Sequence, residues 1–183
     1  METEKPDNSH DSLDYSTFRE KWTSRDGKIV ILRSITSKDK RIEKELIDGL
    51  SIQSSRYRFF HVIKEATEEM VSKFCDIDYK NEIAIIAEYN SNGKKQNVGV
   101  VRLFLDSGLQ TGEFAILVAD NFQESGLGTK FMEILTGMGR KKGLKSIYGE
   151  VLADNNKMLT LAKECGFSVG TNSYGEARIT LQL

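Results

Sequence analysis

One stretch near the middle of the chain limits the possible folds more than any other. An apolar run at 112–119 (GEFAILVA) leads into a loop with two glycines, a helical pattern that ends at Gly143, and a second apolar run at 145–152 (KSIYGEVL). A strand, a helix and a strand in this order require two parallel strands joined by a right-handed crossover. The apolar stripe of the helix consists of Leu127, Phe131, Ile134, Leu135 and Met138.

The remaining segments predict further strands and helices around this unit. Two apolar runs separated by a glycine-containing turn indicate a hairpin, to which 112–119 adds a third antiparallel strand. We therefore predict an α+β (mixed α/β) domain with helices packed on a central sheet. The other predicted strands lie at 27–35, 82–89, 97–105 and 175–183, and the other predicted helices at about 37–50, 54–76 and 158–165.

The first 26 residues differ from the rest in composition. They contain the only proline, Pro6, and many Asp, Glu, Ser and Asn residues. Such a segment cannot bury enough apolar surface to offset the entropy lost on ordering. We expect a loose polar tail at 1–26, with a short helix near 15–22, ahead of one domain at 27–183.

The charge pattern excludes some classes of partner. The 26 Lys and Arg residues nearly cancel the 27 Asp and Glu residues, so the chain offers no broad attraction for nucleic acid or an anionic membrane. No stretch has the apolar length of a membrane span, and the N-terminus lacks the features of a signal peptide. The two cysteines have no metal-ligand spacing. We therefore expect a cytoplasmic protein without a metal site, and the oligomeric state stays open.

The loop between strand and helix predicts an anion site. The first N–H groups of a helix lack intrahelical partners, and glycines at 126 and 128 let a phosphate approach the backbone closely. A Walker loop would need a lysine where Thr129 stands, and the dinucleotide fingerprint would need a glycine where Phe131 stands. The alternative is a turn that only starts the helix, with Ser125 as its N-cap.

Several segments resemble one superfamily. The pattern Gln123-x-x-Gly126-x-Gly128 after a strand resembles the coenzyme A pyrophosphate loop of the GNAT acyltransferases. The segment from Asn155 to Phe167 resembles the later helix of that superfamily, whose leading Asn contacts the pantetheine or phosphate arm. LSIQSSRYRFF (50–60) and IDYKNEIAIIAE (77–88) resemble the Pat-type protein lysine acetyltransferases, a domain also fused to some acyl-CoA synthetases.

This resemblance covers the chain from about Gly27 onward and implies both fold and function. The implied fold is a mostly antiparallel sheet with one parallel crossover and helices on both faces. The implied activity is direct transfer of an acetyl group from acetyl-CoA to a primary amine, with a protein lysine as the preferred acceptor. The implied coenzyme contacts are Leu117, Val118, Gln123, Glu124, Ser125, Gly126, Leu127, Gly128, Thr129 and Asn155. For Asn155, a role as helix N-cap without ligand explains the residue equally well.

Acyl transfer to an amine needs a base, and Glu113 is the candidate. Strand alternation places Glu113 on one face with Ala115 and Leu117, where apolar surroundings would raise the pKa of its carboxyl group. In the Pat-type group a Glu in a similar EFA sequence serves as the base. That resemblance favours Glu113 over Glu82 and Glu150, while a strand-end Glu that simply reaches solvent is the alternative.

The other parts of the reaction have weaker sequence signals. In this superfamily the oxyanion donor is a backbone N–H, here near Leu117 or Val118. Many GNAT enzymes use a Tyr seven residues after the Asn as general acid, but that position is Ala162 here, so the acid is unassigned. A non-catalytic acyl-CoA-binding regulatory module and a small-molecule amine acetyltransferase are therefore kept as alternatives.

Other reactive or charged residues have simpler interpretations. His61 has no partner at ligand spacing, and Cys165 shares an apolar helix face, so both are interpreted as structural or surface residues. The RYRFF motif at 56–60 is interpreted as core aromatics with surface arginines. A basic cluster at a helix C-terminus offsets the helix dipole, or alternatively binds the 3'-phosphate of the coenzyme; it contains Arg140, Lys141, Lys142 and Lys145.

Overall fold

The computed structural model describes residues 15–106, 108, 110–171 and 174–183. The strands are β1 (Arg19–Thr23), β2 (Ile29–Ser34), β3 (Glu82–Ser91), β4 (Lys94–Leu105), β5 (Thr111–Val118), β6 (Ser146–Leu152), β7 (Ser168–Thr171) and β8 (Glu176–Gln182). The helices are α1 (Lys40–Asp48), α2 (Ile52–Phe59), α3 (Glu68–Cys75), α4 (Leu127–Lys141) and α5 (Asn156–Glu164).

All eight strands form one sheet in the order β1-β2-β3-β4-β5-β6-β8-β7. The paired neighbours are antiparallel except β5 and β6, which are parallel and joined through α4. This confirms the predicted mixed fold with its crossover. The parallel pairing covers only three positions and ends where Glu113 lies opposite Tyr148. Beyond Glu113 the two strands separate, and this opening determines where the site lies.

Helices cover both faces of the sheet. The predicted stripe of α4 is buried, with Leu127, Phe131 and Leu135 fully inaccessible to solvent. On the opposite face, α1 and α3 bury a second cluster that includes Ile42 and Val71. Full burial of one such side chain contributes about 1.5–3 kcal/mol to stability, so α1, α3 and α4 are held on the sheet mainly by apolar contacts.

The N-terminal segment differs from the expectation of a loose tail. Residues 19–23 form the edge strand β1, which pairs antiparallel with β2, and Tyr15 is buried in a short 3-10 helix. The composition argument failed here because Phe18 and Trp22 pack on the core and the ladder to β2 supplies backbone hydrogen bonds. The part of the expected tail at 1–14 lies outside the described residues. The short strand β7 was also not predicted.

Among the described residues, no helix is both long and apolar enough to cross a membrane. The same part of the chain contains no group of three or more His, Cys, Asp or Glu side chains arranged to hold a metal ion.

Candidate active site

A pocket of about 880 Å³ lies where β5 and β6 separate. One wall is β5 from Glu113 to Val118, and the other is formed by β6 and the start of α5. The loop at 123–129 lines one end, and α2 contributes a further part of the wall. The pocket thus collects most of the residues that the sequence analysis selected. Those that line it are Glu113, Leu117, Val118, Gln123, Glu124, Gly126, Gly128, Thr129 and Asn155.

The loop before α4 leaves several backbone donors free. Gly126 is the N-cap with φ +92°, a left-handed conformation that favours glycine. The helix ladder begins with the N–H of Lys130 donating to the carbonyl oxygen of Gly126 at 3.0 Å. Within the described part of the chain, the amides of Gly126, Gly128 and Thr129 have no hydrogen-bond acceptor. Together with the helix dipole, they form a site suited to a phosphate group.

Two predicted contact residues have other roles. The Ser125 hydroxyl accepts a hydrogen bond from the Leu127 N–H at 3.3 Å, so Ser125 supports the loop from outside the pocket. The Leu127 side chain is fully buried in the core. Neither side chain lines the pocket, and Ser125 is not the N-cap, because Gly126 takes that position.

Helix α2 is attached to the loop by a small polar network. Asp120 accepts hydrogen bonds from the Ser51 N–H at 2.9 Å and the Ser54 hydroxyl at 2.7 Å. Burial alone would raise the pKa of Asp120, but these donors outweigh it and lower the pKa. The Gln123 amide donates to the Ser54 hydroxyl at 3.1 Å, so the first residue of the predicted phosphate motif anchors α2.

The other side of α2 is fixed to the turn before α5. The Arg56 guanidinium contacts the Asp154 carboxylate at 2.9 Å, and the Tyr57 hydroxyl donates to the Asp154 carbonyl oxygen at 3.2 Å. Tyr57 and Arg58 line the pocket, whereas Phe59 packs against core residues. The RYRFF motif, interpreted from sequence as core and surface only, therefore also contributes to the pocket wall.

Asn155 caps α5 at the pocket edge. Its side-chain oxygen accepts a hydrogen bond from the Met158 N–H at 3.2 Å, which is the capping role considered from sequence. The residue also lines the pocket. Nearby, Lys157 contacts the Glu124 carboxylate at 3.1 Å and joins α5 to the loop.

Glu113 marks the end of the pocket where β5 and β6 meet. It lies opposite Tyr148 in the parallel register and lines the pocket. Its side chain is exposed, so the apolar surroundings expected from strand alternation are not found. Sharing a strand face with Ala115 and Leu117 does not bury the Glu113 side chain, because no other element of the described chain covers it where β5 and β6 separate. Burial raises the pKa of Tyr148, and the negative charge of Glu113 raises it further.

Paired charges surround this end of the pocket. Arg102 is buried and contacts Glu43 at 3.0 Å and Glu82 at 2.8 Å. On the β6 side, Arg178 binds one carboxylate oxygen of Glu150 at 2.5 Å, while the second oxygen is buried without a partner among the described residues. Within each of these groups the opposite charges offset one another.

Sequence reasoning missed Arg25. Arg25 lines the pocket from the turn between β1 and β2. Its backbone N–H donates to the Ser125 carbonyl oxygen at 2.9 Å. A Cβ placed on Gly126 would lie 3.4 Å from Arg25 Nε. No motif contained a signal for Arg25, because it lies in the segment whose composition indicated a tail.

Comparisons with known proteins agree with this geometry. The model of the acetyltransferase (GNAT) family matches residues 50–167. An acetyltransferase of Pseudomonas aeruginosa is 30% identical over 142 residues, which cover 78% of this chain and 76% of that protein.

Solved structures show the same fold. The GNAT domain of S. lividans PAT superposes with a TM-score of 0.81 at 24% identity, covering 90% of this chain and 97% of that chain. A spermidine N-acetyltransferase from Vibrio cholerae, in complex with CoA and spermine, superposes with a TM-score of 0.67 at 21% identity, covering 84% and 95%.

Proposed function

The chain belongs to the GNAT acetyltransferase family, and we propose that its pocket holds acetyl-CoA between the separated strands and presents the acetyl group to a protein lysine near Glu113. At the level of the family, the chain is an acetyl-CoA-dependent N-acetyltransferase that transfers an acyl group from CoA to an amine. The observation that carries the finer proposal is the set of free amides at Gly126, Gly128 and Thr129 at one end of the pocket, with Glu113 at the other.

The coenzyme phosphates are assigned to the loop. Three free N–H groups at a helix N-terminus favour an anion, and Arg25 adds a positive charge beside Gly126. Asn155, Glu124 and the backbone around Thr129 line the adjoining wall. The pantetheine arm then follows β5 toward Glu113. The six strand residues from Val118 back to Glu113 span five steps, or about 16 Å at roughly 3.3 Å per step, which suits an extended arm.

Backbone donors along β5 can receive the arm and the thioester oxygen. The Ala119 N–H donates to the Val98 carbonyl oxygen of β4 at 2.9 Å, and the β4–β5 register is regular from Gly112 to Val118. Because strand N–H groups alternate in direction, that of Leu117 also points toward β4, and those of Ile116 and Val118 point toward the opening. We therefore retain Val118 as a backbone contact and assign the oxyanion to Ile116, which is nearer Glu113.

Glu113 is assigned as the general base. Its exposed carboxylate can take a proton from the incoming ammonium, directly or through one water, so that the neutral amine attacks the thioester carbonyl carbon. The carbon–sulfur bond then breaks, and the coenzyme leaves as a thiolate that takes up a proton. No side chain is assigned as the acid, since Ala162, at the position of the Tyr used by many GNAT enzymes, is fully buried.

Acceptor identity rests on the similarity of 50–60 and 77–88 to the Pat-type group, with the fold of S. lividans PAT in support. A small-molecule amine is the second candidate, because a spermidine N-acetyltransferase shares the fold with a TM-score of 0.67. A non-catalytic acyl-CoA-binding module is the third.

The test measures thiol release from acetyl-CoA by the purified protein, with a terminally blocked lysine peptide, protein acceptors and small amines. Turnover that is faster with peptide or protein than with small amines supports the proposal. Turnover with small amines alone would support the second candidate, a small-molecule amine acetyltransferase. Acetyl-CoA binding by calorimetry without turnover on any acceptor would leave the non-catalytic module.

A further inference from the structure

Arg58 is a positive group in the pocket that no protein group neutralises by direct contact. It lies on α2 and lines the pocket. Within the described ranges, its guanidinium makes no hydrogen bond or ion pair, and its central carbon lies 4.9 Å from the centroid of the Phe59 ring. Burial and the nearby charge of Arg102 lower its pKa, yet a guanidinium stays protonated at neutral pH. The five N–H donors of its guanidinium are therefore open to acceptor oxygens of a ligand.

The charges around Arg58 are paired with each other. Arg102 is occupied by Glu43 and Glu82, and Glu150 is occupied by Arg178. Of the charged groups that act on Arg58, which are Arg102, Glu43, Glu82 and Glu113, Glu113 is the one without an ion-pair partner in the described part of the chain. Glu113 and Arg58 therefore lie near each other in the pocket as groups of opposite charge that no ion pair neutralises among the described residues.

We infer that Arg58 selects the acceptor: it admits a molecule with a single ammonium group and a nearby carbonyl oxygen, and repels one with a second ammonium group. The acceptor ammonium fits Glu113, and a carbonyl oxygen fits the guanidinium donors. A lysine within a peptide offers both. A diamine or polyamine places a second positive charge near Arg58, where like charges in a partly desolvated site oppose binding.

This inference rests on the proposed function, and its test separates the two. The kcat/KM for a terminally blocked lysine peptide and for spermidine is measured in wild type, Arg58→Gln, Arg58→Lys and the control Arg41→Gln. Arg41 is exposed on α1 and pairs with Glu45, so its variant loses one charge away from the pocket. If Arg58 had only a structural role, its loss would reduce the amount of folded enzyme and lower both kcat/KM values by the same factor. The ratio of the two values would then stay unchanged.

We expect the spermidine-to-peptide ratio to rise about tenfold or more in Arg58→Gln, because like-charge contacts are costly. It should stay within about twofold of wild type in Arg58→Lys and Arg41→Gln. An unchanged ratio in Arg58→Gln, or an equal rise in Arg58→Lys, would overturn the inference while leaving the acetyltransferase activity in place. Absence of wild-type turnover with every acceptor would instead refute the proposed function.

A wild-type measurement keeps the inference testable if Arg58→Gln does not fold. Pentylamine and 1,5-diaminopentane differ by one ammonium group on the same carbon chain. Wild type should use the monoamine with a kcat/KM about tenfold higher. Equal or better use of the diamine would exclude repulsion by Arg58.

Discussion

The backbone N–H of Arg25 donates a 2.9 Å hydrogen bond to the carbonyl oxygen of Ser125, which ties the turn between β1 and β2 to the loop ahead of α4. The side chain of Arg25 then lies against Gly126. A segment outside the 50–167 match to the family therefore shapes the proposed phosphate site.

Replacing Arg25 by Ala should weaken acetyl-CoA binding. The guanidinium is exposed, so the lost contact is worth at most about 1 kcal/mol, or up to about a fivefold increase in Kd. Calorimetry at 0.1 M and 0.5 M salt checks this, because screening should shrink the difference at high salt. Arg19→Ala, an exposed change on the same hairpin, serves as the control and should keep the wild-type Kd. Equal losses in both variants would contradict a specific role for Arg25.

Replacing Gly126 by Val should weaken acetyl-CoA binding, with an increase in Kd of about tenfold or more. A β-branched residue is strained at φ +92°, and its side chain would occupy the space beside Arg25. The same calorimetric titration measures the effect. Gly137→Ala is the matched control, since a Cβ there meets nothing within 4 Å. That control should bind normally and gain about 0.4–1 kcal/mol in stability. Normal acetyl-CoA binding by the Val variant would show that the coenzyme phosphates do not bind at this loop.

Replacing Glu113 by Gln should lower kcat/KM by about 10²–10⁴, the usual contribution of a general base. The Kd for acetyl-CoA should change little, because Glu113 lies at the end of the pocket opposite the loop. Steady-state kinetics and calorimetry on the same preparation separate the two effects. Glu69→Gln, at an exposed position paired with Lys73, should behave as wild type. A Glu113→Gln enzyme with near-normal kcat/KM would exclude this residue as the base.

The ion pair between Arg33 and Asp39 predicts a loss of stability in acid. Burial by itself would raise the pKa of Asp39, but hydrogen bonds from Arg33 and Thr36 outweigh it and lower the pKa. A lowered pKa stabilises the fold above the unfolded-state value of about 3.9, and this contribution disappears as the pH falls through the folded-state pKa. Urea unfolding should therefore show Asp39→Asn to be less stable than wild type at pH 7, with a narrower difference below pH 3.5. A difference that is constant with pH would rule out this source of stability.

The local patterns of the sequence were sufficient to predict the central unit of the fold, which consists of β5, the glycine loop, α4 and β6. Alternation in 112–119, the apolar stripe of α4 and the glycines between them each depend on a few neighbouring residues, so they predict the crossover, the buried face of α4 and the pocket loop. Strands β1 and β7 were not predicted, because their apolar patterns are short and they are stabilised by pairing with other strands.

The sequence by itself determined the strand–loop–helix–strand unit and the motif residues it carries. Only the tertiary structure decided that Arg25 lies beside Gly126, that Glu113 is exposed where β5 and β6 separate, and that Arg58 faces the pocket unpaired. The physical reason is that periodicity and turn chemistry act over a few residues, whereas burial and charge pairing depend on segments brought together from distant parts of the chain.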